Sequence, residues 1–99
     1  MNKTFVIAGD SVQARFWISL DCQKRSAAGE TISLSDYITV SDQNKLRGIR
    51  NPHGVFIGTW YKRSDITDIL NMLRMTTGMN SGIKKAIEVY RGYVNEKMD

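Results

Sequence analysis

The spacing of apolar residues along the chain predicts alternating strands and helices. An unbroken apolar run with β-branched residues, typical of a buried strand, occupies residues 4–8 and stops at Gly9. Asp10 is a suitable N-cap, and Gln13 three residues later completes a capping-box pattern, so we expect a helix from there to about Gln23. One face of this helix carries apolar residues at helical spacing, namely Val12, Phe16, Trp17 and Leu20.

The same alternation continues through the middle of the chain. Residues 34–40 are predicted to be the second strand and residues 54–60 the third. The third is an apolar run delimited by glycines. Between these two strands a short helix over residues 41–49 is closed by Asn51-Pro52, because proline cannot easily continue a helix and restricts the residue before it.

Two helices follow the third strand, and residues 76–80 separate them. The apolar stripe of the first of these helices is Ile66, Ile69, Leu70 and Leu73. The apolar stripe of the last helix is Ile83, Ala86, Ile87, Tyr90 and Val94. Earlier helices could already cover most of a small sheet, so we expect the last helix to expose apolar surface for self-association or a protein partner. The alternative is that this helix simply packs on its own domain.

The order strand, helix, strand, helix, strand, helix, helix predicts one α/β domain with a parallel sheet flanked by helices. Its length of 99 residues suits a single domain. Right-handed crossovers limit the sheet order, and we expect the order 2-1-3 with the all-apolar first strand at the centre. Ligands of such sheets bind at the switch point, beyond the carboxyl ends of the strands.

The candidate ligand-binding residues lie in the two loops that meet at this switch point. The first helix would offer free backbone N–H groups to an anion, and the loops add hydroxyls, an aromatic face and a fixed charge. The candidates are Gly9, Asp10, Ser11, Gln13, Thr59, Trp60 and Arg63. The alternative for Asp10 is that it only caps the first helix. Its negative charge would then disfavour binding of a phosphate at that helix N-terminus. Two glycine-rich motifs that bind nucleotides, Gly-x-Gly-x-x-Gly and Gly-x-x-x-x-Gly-Lys-Ser/Thr, are both absent from the sequence.

Charge adds a second candidate surface. The net charge of +4 suits nucleic acid, a nucleotide or an acidic protein surface as partner. Lys45, Arg47 and Arg50 lie on the predicted short helix, where they could contact phosphates. The alternative for this segment is an ordinary solvated helix face.

Other features exclude classes of protein. One cysteine excludes an internal disulfide, and with one histidine far from it we expect no zinc site and no cofactor. No apolar run approaches the roughly 18 residues that a membrane span needs, and the first run is too short for a signal peptide. We therefore expect a cytoplasmic protein with no membrane contact.

Three motifs carry a resemblance to known proteins. They are residues 7–13 (Ile-Ala-Gly-Asp-Ser-Val-Gln), residues 46–50 (Leu-Arg-Gly-Ile-Arg) and residues 55–61 (Val-Phe-Ile-Gly-Thr-Trp-Tyr). In these motifs the chain resembles a group of small, mostly uncharacterised proteins encoded by tailed phages, over most of residues 5–73. The resemblance implies a small Rossmann-like domain and a phage origin, hence the cytoplasm of the host cell. It implies no activity and no catalytic residues.

No nucleophile elbow and no metal-ligand cluster occurs in the sequence. We therefore expect a phage-type, non-enzymatic binding protein that acts on a host protein or a nucleotide-like ligand, for which interference with a host system would be a natural use. Two alternatives stay open. One is a small basic nucleic-acid-binding protein, and the other is a small nucleotide-processing enzyme whose site carries no familiar motif.

Overall fold

The computed structural model describes residues 3–49, 53–77 and 81–98. Their strands and α-helices are β1 (Thr4–Ala8), α1 (Ser11–Ala27), β2 (Tyr37–Thr39), β3 (His53–Ile57), α2 (Ile66–Thr77) and α3 (Ser81–Met98). Three single turns of 3₁₀ helix connect them, at Leu34–Asp36, Gln43–Leu46 and Trp60–Lys62. No helix in these ranges is long and apolar enough to cross a membrane.

The three strands form one parallel sheet in the order β2-β1-β3, which confirms the predicted α/β fold and strand order. Thr4 is aligned with Tyr37 of β2 on one side and with His53 of β3 on the other. All five residues of β1 are buried, as expected for the central strand.

Two hydrophobic clusters lie on opposite faces of the sheet because neighbouring residues of β1 point to opposite sides. Val6 and Ala8 pack with Ala14 and Ile18 of α1. The larger cluster on the other face contains Phe5 and Ile7 of β1 and Val40 after β2. The rest of this cluster comes from two of the 3₁₀ turns and from α2 and α3: Leu46, Trp60, Ile66, Ile69, Leu70, Leu73, Ile83 and Ala86. One face is thus covered by α1 and the other by α2 and α3.

Several predicted element boundaries are wrong. The second strand begins only at Tyr37, because Asp36 accepts a hydrogen bond from the backbone N–H of Ser33 at 2.9 Å and closes a 3₁₀ turn before it. The predicted short helix is a single 3₁₀ turn, and Gly48 follows it with a positive φ of 78°. The third strand ends at Ile57 because Gly58, with φ 60°, turns the chain. The predicted closure at Asn51-Pro52 lies outside the described residues.

Helix α1 is longer than predicted and ends at Ala27. Its end has the bonds of a Schellman motif: Glu30 N donates to Arg25 O, and Gly29 N donates to Ser26 O. Gly29 has φ 90°, the left-handed conformation that this motif needs. The true stop signal is therefore Gly29, and the helix continues through residues 24–27, past its predicted end at Gln23.

The inward face of α1 also differs from the prediction. Val12 is 71% exposed, Phe16 69% and Leu20 44%, while Ala14 and Ile18 are buried against the sheet. Trp17 is half-buried and packs on the same cluster. We call the exposed set Val12, Phe16 and Leu20 the α1 ridge.

The apolar stripe of α3 packs mainly on its own domain. Ile83 and Ala86 are buried, and Ile87 and Tyr90 pack against the same cluster. Farther along, the ring of Tyr93 lies 4.8 Å from that of Tyr61. Self-association through this helix therefore stays a prediction, and much of the stripe it was based on lies within the protein's own core.

Candidate functional site

The loops after β1 and β3 meet at the switch point, as their place in the sheet requires, and the side chain of Gln13 joins them. Its Oε1 accepts hydrogen bonds from the backbone N–H of Gly9 at 3.0 Å and of Thr59 at 3.1 Å. Its Nε2 donates to the hydroxyl of Thr59 at 3.1 Å. Gln13 is thus not the simple capping-box partner predicted, because it also binds a loop 46 positions away.

Two glycines let this amide come so close. A Cβ at Gly9 would lie 2.1 Å from Oγ1 of Thr59 and 2.7 Å from Oε1 of Gln13. A Cβ at Gly58 would lie 2.2 Å from the same Oε1, and its φ of 60° disfavours any side chain. Gly9 therefore makes room for a side chain of the protein itself.

Arg63 was predicted to offer a fixed charge, but its hydrogen bonds are made within the protein. Nη1 donates to the carbonyls of Ala8 at 3.2 Å and Val40 at 2.7 Å, and Nη2 donates to the carbonyl of Ser41 at 2.8 Å. The Asp65 carboxylate accepts from Nε at 2.9 Å and from Nη2 at 3.0 Å.

These contacts use all five N–H groups of a guanidinium. Arg63 therefore joins the carboxyl ends of β1 and β2 to the segment before α2. Sequence reasoning missed Asp65 as its partner, and the Arg-x-Asp spacing of residues 63–65 is the only signal for this pair in the chain.

The remaining switch-point candidates divide into buried and exposed residues. Trp60 is 6% exposed and packs on Phe56 with ring centroids 4.8 Å apart, so its faces belong to the core. Asp10 is exposed and caps α1, where its Oδ1 accepts from the backbone N–H of Gln13 at 2.8 Å. Ser11 is exposed beside it.

A small cavity lies between the ends of β1 and β2, with a volume of about 220 Å³. It is lined by Ala8, Gly9, Asp10, Ser11, Thr39, Val40, Ser41 and Arg63. Small-molecule pockets usually have volumes of about 300–1,000 Å³. An anion here would meet the Asp10 carboxylate, while the nearest cation, Arg63, is already paired with Asp65.

The basic segment is described only in part. Lys45 and Arg47 are exposed, while Leu46 between them is fully buried. Ile49 is 37% exposed. Arg50 lies outside the described residues.

A polar cluster at the other end of the sheet was not predicted. The hydroxyl of Tyr37 donates to Asp21 Oδ2 at 2.5 Å, and Arg25 lies near the same carboxylate and bonds Glu30. Burial, together with the bond to Asp21, raises the pKa of Tyr37 from 10.0 to about 12. An open cavity of about 490 Å³ lies beside this cluster. The polar groups of the cluster are bonded to one another, and this arrangement suits a structural role.

No group of three potential metal ligands of the His, Cys, Asp and Glu type occurs in the part of the chain that the structure describes. Comparison with protein-family models, with curated proteins and with solved structures gives no match.

Proposed function

We propose that this protein is a non-enzymatic binding protein whose partner is another protein, contacted through the outer face of α1. The observation that carries this proposal is the exposure of the α1 ridge. Val12 and Phe16 are each about 70% exposed, and Leu20 continues the row at 44%. Single exposed apolar residues are common on protein surfaces, but contiguous apolar patches are typical of interaction sites.

The arrangement of the ridge supports a binding surface. Its members are four positions apart, so they form one row along the helix over about 12 Å. The interior of the domain does not need them, because Ala14 and Ile18 fill the contact with the sheet. Polar residues would serve the fold equally well at the ridge positions.

The contacts at the switch point favour a protein over a nucleotide-like ligand. Gln13 and Arg63, which were candidates to bind a ligand, bind the protein's own backbone instead. Trp60 is buried, so it offers no stacking face. A nucleotide would have to displace these internal bonds. The resemblance to tailed-phage proteins favours a host protein as partner and interference with a host system as its use.

The test is quantitative affinity purification from host-cell extract with three forms of the protein: wild type, Phe16→Ser and Met75→Ser. Met75 is the matched control because it is an exposed apolar residue on α2, 80% accessible. We expect mass spectrometry to identify a protein that wild type and Met75→Ser retain and Phe16→Ser loses. Equal retention by all three forms, or a nucleotide or nucleic acid as the co-purifying species, would contradict the proposal.

A further inference from the structure

The charges around the α1 ridge are unevenly distributed. Arg15 and Lys24 are exposed on the two flanks of the ridge. Within residues 11–27 the one acidic residue is Asp21. It is half-buried on the inner side, where it accepts the hydrogen bond of Tyr37. The outer face of α1 is therefore apolar along its middle and positive on both sides.

We propose that the α1 ridge binds an acidic amphipathic helix of the partner protein, an inference that rests on the proposed function. A row of apolar residues at spacing four packs into the groove between such rows on another helix. Aspartate or glutamate beside the partner's apolar row would lie near Arg15 and Lys24. Charge complementarity of this kind sets the partner and the orientation in which it binds.

The same charges disfavour a second copy of this chain as the occupant. Antiparallel overlap of the ridge with itself places Arg15 of one copy within a turn of Arg15 of the other, and parallel overlap brings no outward-facing acidic residue of α1 to Arg15 or Lys24. Like charges at that spacing repel. Asp10 precedes α1 and lies beyond the overlapping residues, and Asp21, next to Leu20, is bonded to Tyr37 on the inner side of the helix. The ridge is thus not self-complementary.

A lipid surface also fits less well than a protein helix. Ser19 and Gln23 are exposed on the outer side of α1 beside the ridge, so three side chains make up its apolar part. Helices that lie in a membrane interface bury a broader apolar face. A narrow apolar row with polar neighbours matches one face of a partner helix.

The experiment measures binding of two fluorescent helical peptides by anisotropy. Both have leucine at every third or fourth position, and their flanking residues are glutamate in one and lysine in the other. We expect wild-type protein to bind the glutamate peptide at least tenfold more tightly than the lysine peptide, and more weakly as salt concentration rises. Equal affinity for the two peptides, tighter binding to anionic phosphatidylglycerol vesicles, or a dimer that Phe16→Ser dissociates would overturn the proposal.

Two double variants separate the effect of the charges beside the α1 ridge from the effect of the protein's net charge. Arg15→Glu with Lys24→Glu, and Lys84→Glu with Arg91→Glu on α3, each take the net charge from +4 to zero, since each reversal changes it by two. We expect the first pair to weaken binding of the glutamate peptide about tenfold and the second to change it less than twofold.

Phe16→Ser separates this inference from the proposed function. If Phe16→Ser abolishes binding and the Arg15 and Lys24 reversals do not weaken it, the ridge binds proteins but the acidic partner is wrong. If none of these changes affects binding, both the inference and the proposed surface are wrong.

Discussion

Gln13 makes the contacts that close the crevice between β1 and β3. Its amide oxygen accepts from two backbone N–H groups, on Gly9 and Thr59, that would otherwise point into the space available to a ligand. Buried or half-buried N–H groups need such an acceptor, and loss of one costs about 1–3 kcal/mol. The glycines on either side are therefore constrained by this amide.

Substitutions of three glycines separate backbone strain from crowding. Gly58 and Gly48 both have positive φ, but a Cβ would meet Gln13 only at Gly58. We expect Gly48→Ala to lower the free energy of unfolding by about 1 kcal/mol and Gly58→Ala to lower it by about 1–2 kcal/mol more. Gly92→Ala, in open space within α3, should raise it by about 0.5–1 kcal/mol. Urea unfolding followed by circular dichroism measures all three, and equal losses at positions 48 and 58 would show that the amide moves aside freely.

The raised pKa of Tyr37 leads us to expect a loss of stability at high pH. Its pKa is about 12 in the folded protein against 10.0 for a free tyrosine, because burial and the bond to Asp21 disfavour the phenolate. The folded state holds this proton more tightly, so the stabilisation is complete below pH 10 and is lost as pH rises from 10 to about 12. Unfolding measured across that window should show a steeper fall for wild type than for Tyr37→Phe. Parallel curves would mean that the phenol titrates normally.

Helix α1 contacts its face of the sheet through Ala14, Ile18 and the half-buried Trp17, and the α1 ridge lies outside. Ala14 allows the helix to lie close to β1, and Ile18 fills the space beside it. The ridge residues are on the opposite side of the helix. The position of α1 over the sheet is thus determined by residues that contribute little to its apolar pattern.

A pair of matched truncations tests this orientation. Ile18 and Phe16 are two positions apart on the same helix, and Ile18 is 9% exposed against 69% for Phe16. We expect Ile18→Ala to lower the free energy of unfolding by about 2–3 kcal/mol and Phe16→Ala to change it by less than about 0.5 kcal/mol. Thermal unfolding of both variants is sufficient, and a larger loss at Phe16 would mean that α1 packs with its predicted face.

The sequence allowed the three strands, the three α-helices and the sheet order to be predicted, although not all of their boundaries, because each strand is a short apolar run bounded by glycine or polar residues. It did not allow the face of α1 to be predicted, because Val12-Phe16-Leu20 and Ala14-Ile18 are both at helical spacing and the larger side chains dominate the pattern. Close approach to a sheet favours the smaller set, and only the packed structure shows that approach.

The loops after β1 and β3 meet as the predicted sheet order requires, but the internal partners of their polar side chains were not predicted. Gln13 and Thr59 are 46 positions apart, and Arg63 binds carbonyls of residues 8, 40 and 41. Backbone carbonyls have no signature in a sequence. A polar residue at a switch point therefore looks the same whether it binds a ligand or the protein itself.

Across the whole molecule the positive charge is spread over several faces. Arg25 is paired with Glu30, and Arg63 with Asp65, so these two arginines contribute little to the external field. Lys45 and Arg47 are exposed together after β2. They are the described part of the surface on which the nucleic-acid alternative depends.

That alternative makes a quantitative prediction about salt. If Lys45 and Arg47 contact phosphates, replacing each with alanine should lower the slope of log affinity against log salt concentration by about one unit. Lys84→Ala with Arg91→Ala removes the same charge elsewhere and should leave the slope unchanged. Fluorescence anisotropy with duplex and single-stranded DNA gives these slopes, and no binding at low salt would eliminate the alternative.

The internal bonds of Arg63 have a consequence for the rate at which the protein unfolds. Its carbonyl partners lie at the ends of two strands that are aligned only after β1 and β2 have paired, and its carboxylate partner precedes α2. We expect contacts that require a completed sheet to form after the main folding barrier. Arg63→Lys, which cannot reproduce these directed bonds, should therefore accelerate unfolding about tenfold or more and leave the folding rate nearly unchanged. Stopped-flow kinetics in urea would show this as a shift of the unfolding limb alone; a slower folding limb would place Arg63 in the folding nucleus.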